Sequence, residues 1–310
     1  MSVTKWIGVL FVLLSTVWLA ASWYVSEQFL SLGIVNYEEV EESEILNGLK
    51  IPLLEKQAVN ILSDGVSLSA SFFEHPDPKD CAVVLLPGIG GNRTQVLPAL
   101  PMFWELGCHI IAYDPRGTGD STGVPRTFGY LEKKDNAAVI RWVASTARIE
   151  PSSIGVWGPS FGAAVGILTL DEIDELSFVI ADSTFHSFEQ VAYDTIAILS
   201  NTAIAAVLTP GVLRFLEFRT GMEVDMVKPT ASIAGTLTPV LLIHAADDPA
   251  MDISHSQTVF DARTTDNVEF EITDWGAGHA DSALIDPDAY KSLIFSFLSE
   301  QKSTQHLINN

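Results

Sequence analysis

Gly158-Pro159-Ser160-Phe161-Gly162 is the stretch around which this 310-residue chain is organised. An apolar run at residues 153–157 precedes it, and small residues that suit a tightly packed helix follow it. A G-x-S-x-G pattern between a strand and a helix puts the serine at a sharp, strained turn with its hydroxyl exposed. The flanking glycines let neighbouring backbone approach closely. Because the pattern also occurs by chance, its meaning depends on a base, an acid and oxyanion donors elsewhere in the chain.

Predicted strands alternate with predicted helices over the rest of the chain. Alternating apolar residues on both sides of Asp64-Gly65 predict a β-hairpin. Continuous apolar runs predict buried strands at residues 82–86, 109–113, 153–157, 178–181, 240–244 and 268–272. Helices are predicted at residues 95–106, 131–147 and 290–298. This order predicts an α/β fold with a mostly parallel, doubly wound sheet and an initial antiparallel hairpin.

Residues 185–230 interrupt this alternation with a long, apolar, helix-like segment. It lies between two predicted strands, at the edge where ligands enter such sheets, so we predict a helical cap over the site. A second membrane span is the alternative. Asp194, Asn201 and Pro210 interrupt the apolar run, which argues against that alternative.

Residues 6–25 are almost wholly apolar, with no charge between Lys5 and Glu27. A helix of about 20 residues spans roughly 30 Å, the thickness of the hydrocarbon core of a bilayer. We therefore predict a membrane anchor. A cleaved signal peptide is the alternative, with Ala20-Ala21-Ser22 as the cleavage site.

The predicted organisation has four parts: an anchor at residues 1–26, an acidic tether at 27–55, one domain at 56–300 that includes the cap, and a tail at 301–310. One lysine before the span and an acidic run after it predict that the N-terminus stays inside. The body of the protein would then face the periplasm or the exterior.

The chain holds 17 Lys and Arg residues against 39 Asp and Glu residues, a formal charge of −22. Phosphate groups require neutralisation by Lys and Arg, so this charge argues against a nucleic-acid partner. It also argues against electrostatic attachment to anionic lipid. The surplus charge favours solubility of the body.

Patterns that bind cofactors are missing from the sequence. The glycine-rich segment at residues 87–91 lacks the Gly-Lys-Ser/Thr ending of a phosphate loop. No Cys/His spacing predicts a metal site, and no G-x-G-x-x-G pattern predicts a dinucleotide site. We therefore expect neither a cofactor nor a metal.

Two cysteines, Cys81 and Cys108, each begin a predicted core strand. If those strands are parallel neighbours, the two sulfur atoms lie close enough to form a disulfide. The sequence favours two buried thiols that act as small hydrophobic side chains, with the disulfide as the alternative.

A serine hydroxyl needs a base to accept its proton and a third group to orient that base. Among seven histidines, His279 lies in a glycine-containing loop directly after the last predicted strand. His109 and His244 lie within apolar strands, where we expect buried structural histidines. His279 is therefore the predicted base.

Three carboxylates qualify as the orienting acid by position. Asp247 and Asp248 follow the next-to-last predicted strand, and Asp182 ends the strand after the serine helix. A carboxylate just beyond the C-terminal end of a strand can reach toward the site, so all three stay open. Asp114 also ends a strand, but we expect it to pair with Arg116 in a structural role.

Acyl transfer also requires hydrogen-bond donors aimed at the developing oxyanion. The N–H group of Phe161, directly after the serine, is one candidate. The second is the N–H group of Ile89, in the glycine-rich loop after the strand at residues 82–86.

Together these elements resemble the α/β-hydrolase superfamily over residues 57–298, and within it the membrane-anchored Bem46-like and ABHD-like serine hydrolases with a prolyl-oligopeptidase-type fold. The matching elements are the glycine loop at 87–91, Asp114-Pro115-Arg116-Gly117-Thr118-Gly119-Asp120-Ser121, the serine turn, Ala181-Asp182-Ser183, residues 239–248 and Gly278-His279. The chain order Ser160, Asp, His279 is that of the superfamily. The resemblance places the acid at the fifth position counted from His244, which selects Asp248 over Asp247.

The resemblance implies a serine hydrolase without a cofactor. Ser160 would attack an acyl carbonyl, His279 would move the proton, Asp248 would orient His279, and the N–H groups of Ile89 and Phe161 would hold the oxyanion. The apolar cap favours an ester of a small, hydrophobic acyl compound over other substrates. A serine peptidase or amidase is the alternative, because the same residues serve both leaving groups. A catalytically silent, membrane-tethered binding protein is a further alternative.

Overall fold

An eight-stranded mixed sheet forms the centre of the protein. The computed structural model describes residues 3–31, 41–52, 54–123, 126–301 and 304–308. The strands are β1 (Lys56–Ser63), β2 (Val66–Phe73), β3 (Ala82–Leu85), β4 (His109–Tyr113), β5 (Ile154–Pro159), β6 (Phe178–Asp182), β7 (Val240–Ala245) and β8 (Val268–Thr273). Their order is β1-β2-β4-β3-β5-β6-β7-β8, with the β1–β2 and β2–β4 pairs antiparallel and the other pairs parallel. The predicted fold class and its antiparallel start are confirmed.

Helices cover both faces of the sheet. They are α1 (Val3–Ser31), α2 (Glu42–Leu49), α3 (Leu100–Trp104), α4 (Glu132–Ala147), α5 (Phe161–Leu168), α6 (Phe188–Leu199), α7 (Thr202–Thr220), α8 (Pro229–Ile233), α9 (Ser254–Asp261), α10 (Ser282–Ile285), α11 (Pro287–Glu300) and α12 (Gln305–Ile308). The helix predicted at 95–106 is wrong in length, since only α3 is α-helical there and two 3-10 turns precede it. Pro98 and Pro101 lack the N–H donor that a continuous helix requires.

The core divides at the sheet into two clusters of buried side chains. Alternate strand residues enter different clusters, as the period of two requires: Leu242 belongs to the cluster that contains α5, and Leu241 to the cluster that contains α11. The small residues Ala163, Ala164 and Gly166 let α5 pack closely on the strands, since a Cβ at Gly166 would crowd the neighbouring valines. The serine turn thereby sits on a rigid base.

Cys81 and Cys108 form a disulfide across β3 and β4. These strands are parallel neighbours, and Ala82 pairs with His109, so the preceding residues face each other with Cα atoms 4.8 Å apart. That separation suits a disulfide. The sequence expectation of two buried thiols is therefore wrong, because the strand order that brings the two cysteines together was not visible in the sequence.

Helix α2 docks on the body within the segment predicted to be a tether at 27–55. Glu42 accepts hydrogen bonds from Lys56 (3.0 Å) and Arg93 (3.3 Å), and burial, which raises the pKa of Glu42, is outweighed by these partners and the Ser71 hydroxyl, so that pKa is lowered. Ile45 packs with its helix neighbours Leu46 and Leu49 against the α11 side of the core. Residues 32–40 of the predicted tether lie outside the described residues.

The ion pairs around Asp114 differ from the sequence expectation. Arg116 binds both oxygens of Asp135 at 2.6 Å, on α4. Asp114 instead accepts from the backbone and the guanidinium of Arg93, at 2.8 and 2.6 Å. The predicted Asp114–Arg116 pair is wrong, because the fold offers each group a partner distant in sequence.

Helices α6 and α7, joined by Ser200 and Asn201, form a helical hairpin in the segment predicted as a cap, and we call this pair the cap hairpin. The second half of α1 packs along α7, whereas residues 4–14 of α1 are exposed on all sides. Within the described ranges, α1 is the one helix whose length and mean hydropathy (1.8) suffice for a membrane span.

Candidate active site

Ser160 occupies the turn between β5 and α5 in a strained conformation. Its φ is 54° and its ψ is −116°, a region that L-residues rarely adopt. The Ser160 N–H group donates to the Asp182 carbonyl at 2.7 Å, which holds the turn against β6. A Cβ at Gly162 would overlap the Leu86 carbonyl, and one at Gly158 would overlap the backbone of Gly162. Both glycines of the pattern are therefore required by close backbone approach.

His279 lies between Ser160 and Asp248. Its Nε2 is 2.7 Å from Ser160 Oγ, and its Nδ1 is 2.7 Å from Asp248 Oδ2. Because a carboxylate only accepts, Nδ1 carries the hydrogen, and Nε2 is left to accept from the serine hydroxyl. Three residues that are distant in sequence are thus joined in one line of hydrogen bonds.

Asp248 is fixed by backbone donors beside its contact with His279. Its Oδ1 accepts from the N–H groups of Ala250 and Met251, both at 2.9 Å. Burial raises the pKa of this carboxyl, but the hydrogen bonds from His279, Met251 and Ala250 outweigh burial, and the net pKa is lowered. Asp248 is therefore ionised at neutral pH and able to stabilise a positive charge on His279.

His244 is a buried structural residue, as the sequence predicts. Its Nε2 lies 2.9 Å from the Met251 carbonyl, and its Nδ1 lies 2.7 Å from the Ser256 hydroxyl. Burial lowers the pKa of His244, so the ring is neutral. It supports the turn that carries Asp248.

The other two candidate acids do not contact His279. Asp247 is exposed. Asp182 is fully buried, and its Oδ1 accepts from the Ser183 hydroxyl at 3.1 Å. Burial raises the pKa of Asp182 to about 6, against the lowering effects of Ser183, Tyr290 and the His279 charge. The environment thus moves the pKa values of the two buried carboxyls in opposite directions, down for Asp248 and up for Asp182.

Ile89 and Phe161, the predicted oxyanion donors, border the same pocket as Ser160. Phe161 is the first residue of α5, where an N–H group has no partner within the helix. In the part of the chain that the structure describes, neither N–H group donates to another protein group. Gln95, which no motif in the sequence marks, holds the glycine loop by accepting from the Gly88 N–H at 2.9 Å.

An apolar pocket opens beside Ser160 and holds about 90 Å³. Its walls are Phe29, Ile89, Phe128, Phe161, Phe185, Phe188, Val191, Thr195 and Met251. The Phe128 and Phe188 rings stack with centroids 4.3 Å apart, and the Phe29 ring packs edge-on against both. Thr195 supplies the one polar side chain besides Ser160 among these residues, so the pocket suits an apolar group.

Phe29 comes from α1, and no pattern in the sequence singles it out. Ser15, Trp18, Ser22, Val25 and Phe29 recur every three or four residues, and all are at least partly buried, whereas the residues between them are mostly exposed. This spacing forms one face of a helix. The face was hidden in the sequence because the surrounding residues are apolar too.

No group of three or more His, Cys, Asp or Glu side chains within the described ranges could hold a metal ion. Ser160, His279 and Asp248 place a hydroxyl, an imidazole and a carboxylate in the order that a serine nucleophile, its base and its orienting acid require.

Comparison with known proteins gives one family match and several relatives. The model of the family described as X-Pro dipeptidyl-peptidase (S15 family) matches residues 38–214, more than half of the chain, which includes Ser160 but not Asp248 or His279. An uncharacterized Bacillus subtilis protein, YqkD, is 29% identical over 194 residues, which are 61% of this chain and 63% of that protein. The α/β-hydrolase domain-containing protein WAV2 of Arabidopsis thaliana is 26% identical over 77% of this chain and 76% of its own length.

Two solved structures share the fold. An esterase of Pyrococcus furiosus superposes with a TM-score of 0.64 at 24% identity, covering 84% of this chain and 95% of the esterase. An acylaminoacyl peptidase of Pyrococcus horikoshii superposes with a TM-score of 0.60 at 18% identity, covering 84% of this chain and 43% of the peptidase. These structures show the α/β-hydrolase fold, and the family model, which matches more than half of the chain, shows that the chain belongs to the X-Pro dipeptidyl-peptidase (S15) family of α/β-hydrolases.

Proposed function

We propose that this α/β-hydrolase is a serine esterase that cleaves esters of apolar acyl groups through an acyl-enzyme. The observation that carries the proposal is the hydrogen-bonded line from Ser160 through His279 to Asp248, with 2.7 Å at each step, beside a pocket walled by phenylalanines. This geometry matches the requirements of a serine nucleophile with its base and orienting acid.

The first half of the reaction forms the acyl-enzyme. Ser160 Oγ bonds to the acyl carbonyl carbon while His279 Nε2 takes its proton, and the carbonyl oxygen becomes an oxyanion. The tetrahedral intermediate collapses, the ester C–O bond breaks, and the departing alcohol takes the proton from His279. Asp248 stabilises the transient imidazolium through Nδ1–H. Water then attacks the acyl-enzyme while His279 takes its proton, and collapse of the second intermediate breaks the bond to Ser160 Oγ, which regains the proton, and releases the carboxylic acid.

The oxyanion would be held by the N–H groups of Phe161 and Ile89. Both residues border the pocket beside Ser160, and the free N–H group at the start of α5 also carries the positive end of the helix dipole. Removal of one such donor typically lowers kcat by a factor of about 10²–10³.

The pocket lining favours an ester with an apolar acyl group over a peptide. A dipeptidyl-peptidase must recognise a charged amino terminus, which calls for a carboxylate near the serine, whereas the residues that wall this pocket are uncharged. The family match and the likeness to an acylaminoacyl peptidase make a peptidase or amidase the second candidate. Rates on p-nitrophenyl esters and on X-Pro p-nitroanilides distinguish the two, and a preference for the anilides would contradict the esterase.

Ser160→Ala tests the nucleophile. The variant should lose hydrolysis of short p-nitrophenyl esters by roughly 10⁴-fold or more and should not react with a fluorophosphonate probe, because the attacking hydroxyl is gone. Its thermal unfolding should match that of the wild type. Retained activity, or a wild-type protein that the probe does not label, would favour a catalytically silent binding protein instead.

We further propose that α1 is an uncleaved anchor and that the body faces an oxidising space, the periplasm or the exterior. The Cys81–Cys108 disulfide supports this side, since disulfides persist in oxidising compartments. Trp18 Nε1 donates to the Val207 carbonyl at 2.8 Å, a contact that cleavage after Ala21 would remove. Mass spectrometry of the membrane fraction should find the full-length chain; a chain that begins at Ser22 would identify a signal peptide.

A further inference from the structure

The free end of the cap hairpin has an apolar, uncharged surface. No charged residue occurs between Asp194 and Arg214. Ile198 is 73% exposed and Leu199 is 81% exposed, at the end of α6, and Ile204 and Val207 are exposed on the first half of α7. Contiguous apolar surface of this kind marks an interaction site on a protein.

Two polar side chains at this end are bonded within the hairpin. Ser200 Oγ donates to the Ile196 carbonyl at 2.6 Å, and Asn201 Oδ1 accepts from the Ile204 N–H at 3.0 Å. These bonds lower the cost of placing the turn in hydrocarbon, where every unsatisfied polar group costs several kcal/mol.

Helix α1 runs parallel to α7, and their contacts set the register. Trp18 bonds to the Val207 carbonyl, the Trp23 ring packs on Phe215, and Glu27 pairs with Arg219 at 2.5 Å. Residue numbers rise together on both helices. A Cβ at Gly211 would overlap the Ser22 hydroxyl, so the two backbones are in close approach, as small residues allow between helices in membranes.

The charged parts of the two helices begin at nearby levels. The uncharged run of α1 ends before Glu27, which pairs with Arg219, and charges on α7 begin at Arg214, five residues or ~7 Å nearer the free end of the hairpin. The first residue of α7, Thr202, lies about 12 residues, or ~18 Å, from Arg214, close to the ~15 Å depth of one leaflet. The hairpin and the anchor thus share one apolar zone, and charged residues follow it on both helices.

The pocket lies next to this zone. Val191 and Thr195 on α6 wall the pocket, and Leu199 is one helical turn, ~6 Å, beyond Thr195. At the other end Phe29 closes the pocket from α1. Two of the three helices that carry the apolar zone, α1 and α6, therefore also wall the pocket.

We propose that the end of the cap hairpin inserts into the bilayer leaflet that α1 crosses, and that the acyl substrate is a lipid ester that enters the pocket from that leaflet. This inference rests on the anchoring and the esterase activity proposed above. The occupant of the apolar surface is lipid hydrocarbon, because the surface continues that of α1 and contains no charged residue between Asp194 and Arg214.

Single-cysteine labelling tests the insertion. Both native cysteines are in the disulfide, so an introduced cysteine is the one free thiol of the chain. The probe sites are Leu199→Cys and Val207→Cys, with Leu10→Cys as the anchor reference. Leu237→Cys is the control, because Leu237 is 69% exposed and precedes β7, at the sheet edge opposite the site. Full-length protein carrying an environment-sensitive fluorophore is placed in phosphatidylcholine vesicles, and quenching by doxyl-labelled lipid is compared with quenching by aqueous iodide.

Lipid should quench the probes at residues 10, 199 and 207, and iodide should quench the probe at residue 237. If residue 10 responds to lipid but residues 199 and 207 respond to iodide, the anchoring stands and the insertion is overturned. If residue 10 does not respond to lipid, both fail. If neither quencher reaches residues 199 and 207, a second copy of the chain covers the hairpin and the proposal is overturned. Variants are used only when their thermal unfolding matches that of the wild type.

Leu199→Glu tests lipid entry, with Leu237→Glu as the matched control. A charge in hydrocarbon is costly, so Leu199→Glu should lose about tenfold on an ester embedded in vesicles while keeping its rate on a water-soluble ester. Leu237→Glu should keep both rates. Equal rates of Leu199→Glu and wild type on the embedded ester, or an equal loss on both substrates, would overturn entry from the leaflet. A wild-type protein that does not hydrolyse the water-soluble ester would instead contradict the proposed esterase activity.

Discussion

The proposed reaction centre and its cover are held in place by different kinds of contact. The proposed centre, Ser160 with His279 and Asp248, is positioned by hydrogen bonds between loops at one edge of the sheet. The cover, formed by α1 with the cap hairpin, is positioned by apolar side-chain packing and helix–helix contacts. The centre depends on directional contacts of a few atoms, whereas the cover depends on shape and apolar area. We infer that reaction type and substrate choice are encoded in separate parts of the chain.

Asp248→Asn should cause the largest loss of activity among these changes, because it alters the proposed centre and leaves the cover intact. An amide at this position removes the anion that orients His279 and stabilises its charge, so kcat should fall roughly 10⁴-fold with the pocket intact. Asp247→Asn, one residue earlier and exposed, is the matched control and should keep wild-type activity. Steady-state kinetics on a short p-nitrophenyl ester measure both. A comparable loss of kcat in Asp247→Asn would contradict the assignment of Asp248 as the acid.

Phe29→Ala tests the cover without touching the centre. Phe29 is 3% exposed and packs on Phe128 and Phe188, so the change should lower the free energy of unfolding by about 3 kcal/mol. Because the pocket holds about 90 Å³, loss of one ring should shift the preferred acyl chain to longer lengths. The exposed Phe11→Ala, earlier in α1, is the control. A series of p-nitrophenyl esters of increasing chain length measures the shift, and an unchanged optimum would remove Phe29 from the pocket wall.

Asp182→Asn tests the difference between the two buried carboxyls, Asp182 and Asp248. Asp182 lies beside the line of hydrogen bonds from Ser160 to Asp248 but is not part of it. Its folded pKa of about 6 is above the ordinary value of 3.8, so its contribution to stability is complete below pH 4 and is lost as the pH rises to about 6. An amide that does not titrate should raise the free energy of unfolding at pH 7 by about 3 kcal/mol, the value of a pKa shift from 3.8 to about 6, and should change it much less at pH 4. Melting curves at the two pH values, for variant and wild type, give the difference. A gain at pH 4 as large as that at pH 7 would contradict the raised pKa.

Local signals made much of the fold predictable. Strands at 82–86, 109–113 and 240–244 agree with the structure to within one or two residues, because buried parallel strands are short continuous apolar runs between turn residues. Ser160 was identifiable because the strained turn imposes glycine on both sides within five residues. The helix at 95–106 was overestimated where prolines interrupt it.

Contacts between distant residues could not be predicted in the same way. The Arg116–Asp135 pair and the cysteine bridge depend on which strands and helices become neighbours. Phe29 is the clearest example: in α1 an apolar side chain that faces the protein and one that faces away have the same composition. Only the register of α1 on α7 distinguishes them.

The amino-acid sequence by itself determined the α/β fold class and the candidate nucleophile and base, because strand periodicity, turn chemistry and the strained serine turn are properties of short segments. Only the resemblance selected Asp248 among the candidate acids, and the structure then places Asp248 beside His279. The tertiary structure alone decided the disulfide, the partners of Asp114 and Arg116, and the entry of α1 into the pocket wall. These features depend on strand order and helix register, which arise from the packing of the whole chain and leave no local mark on its sequence.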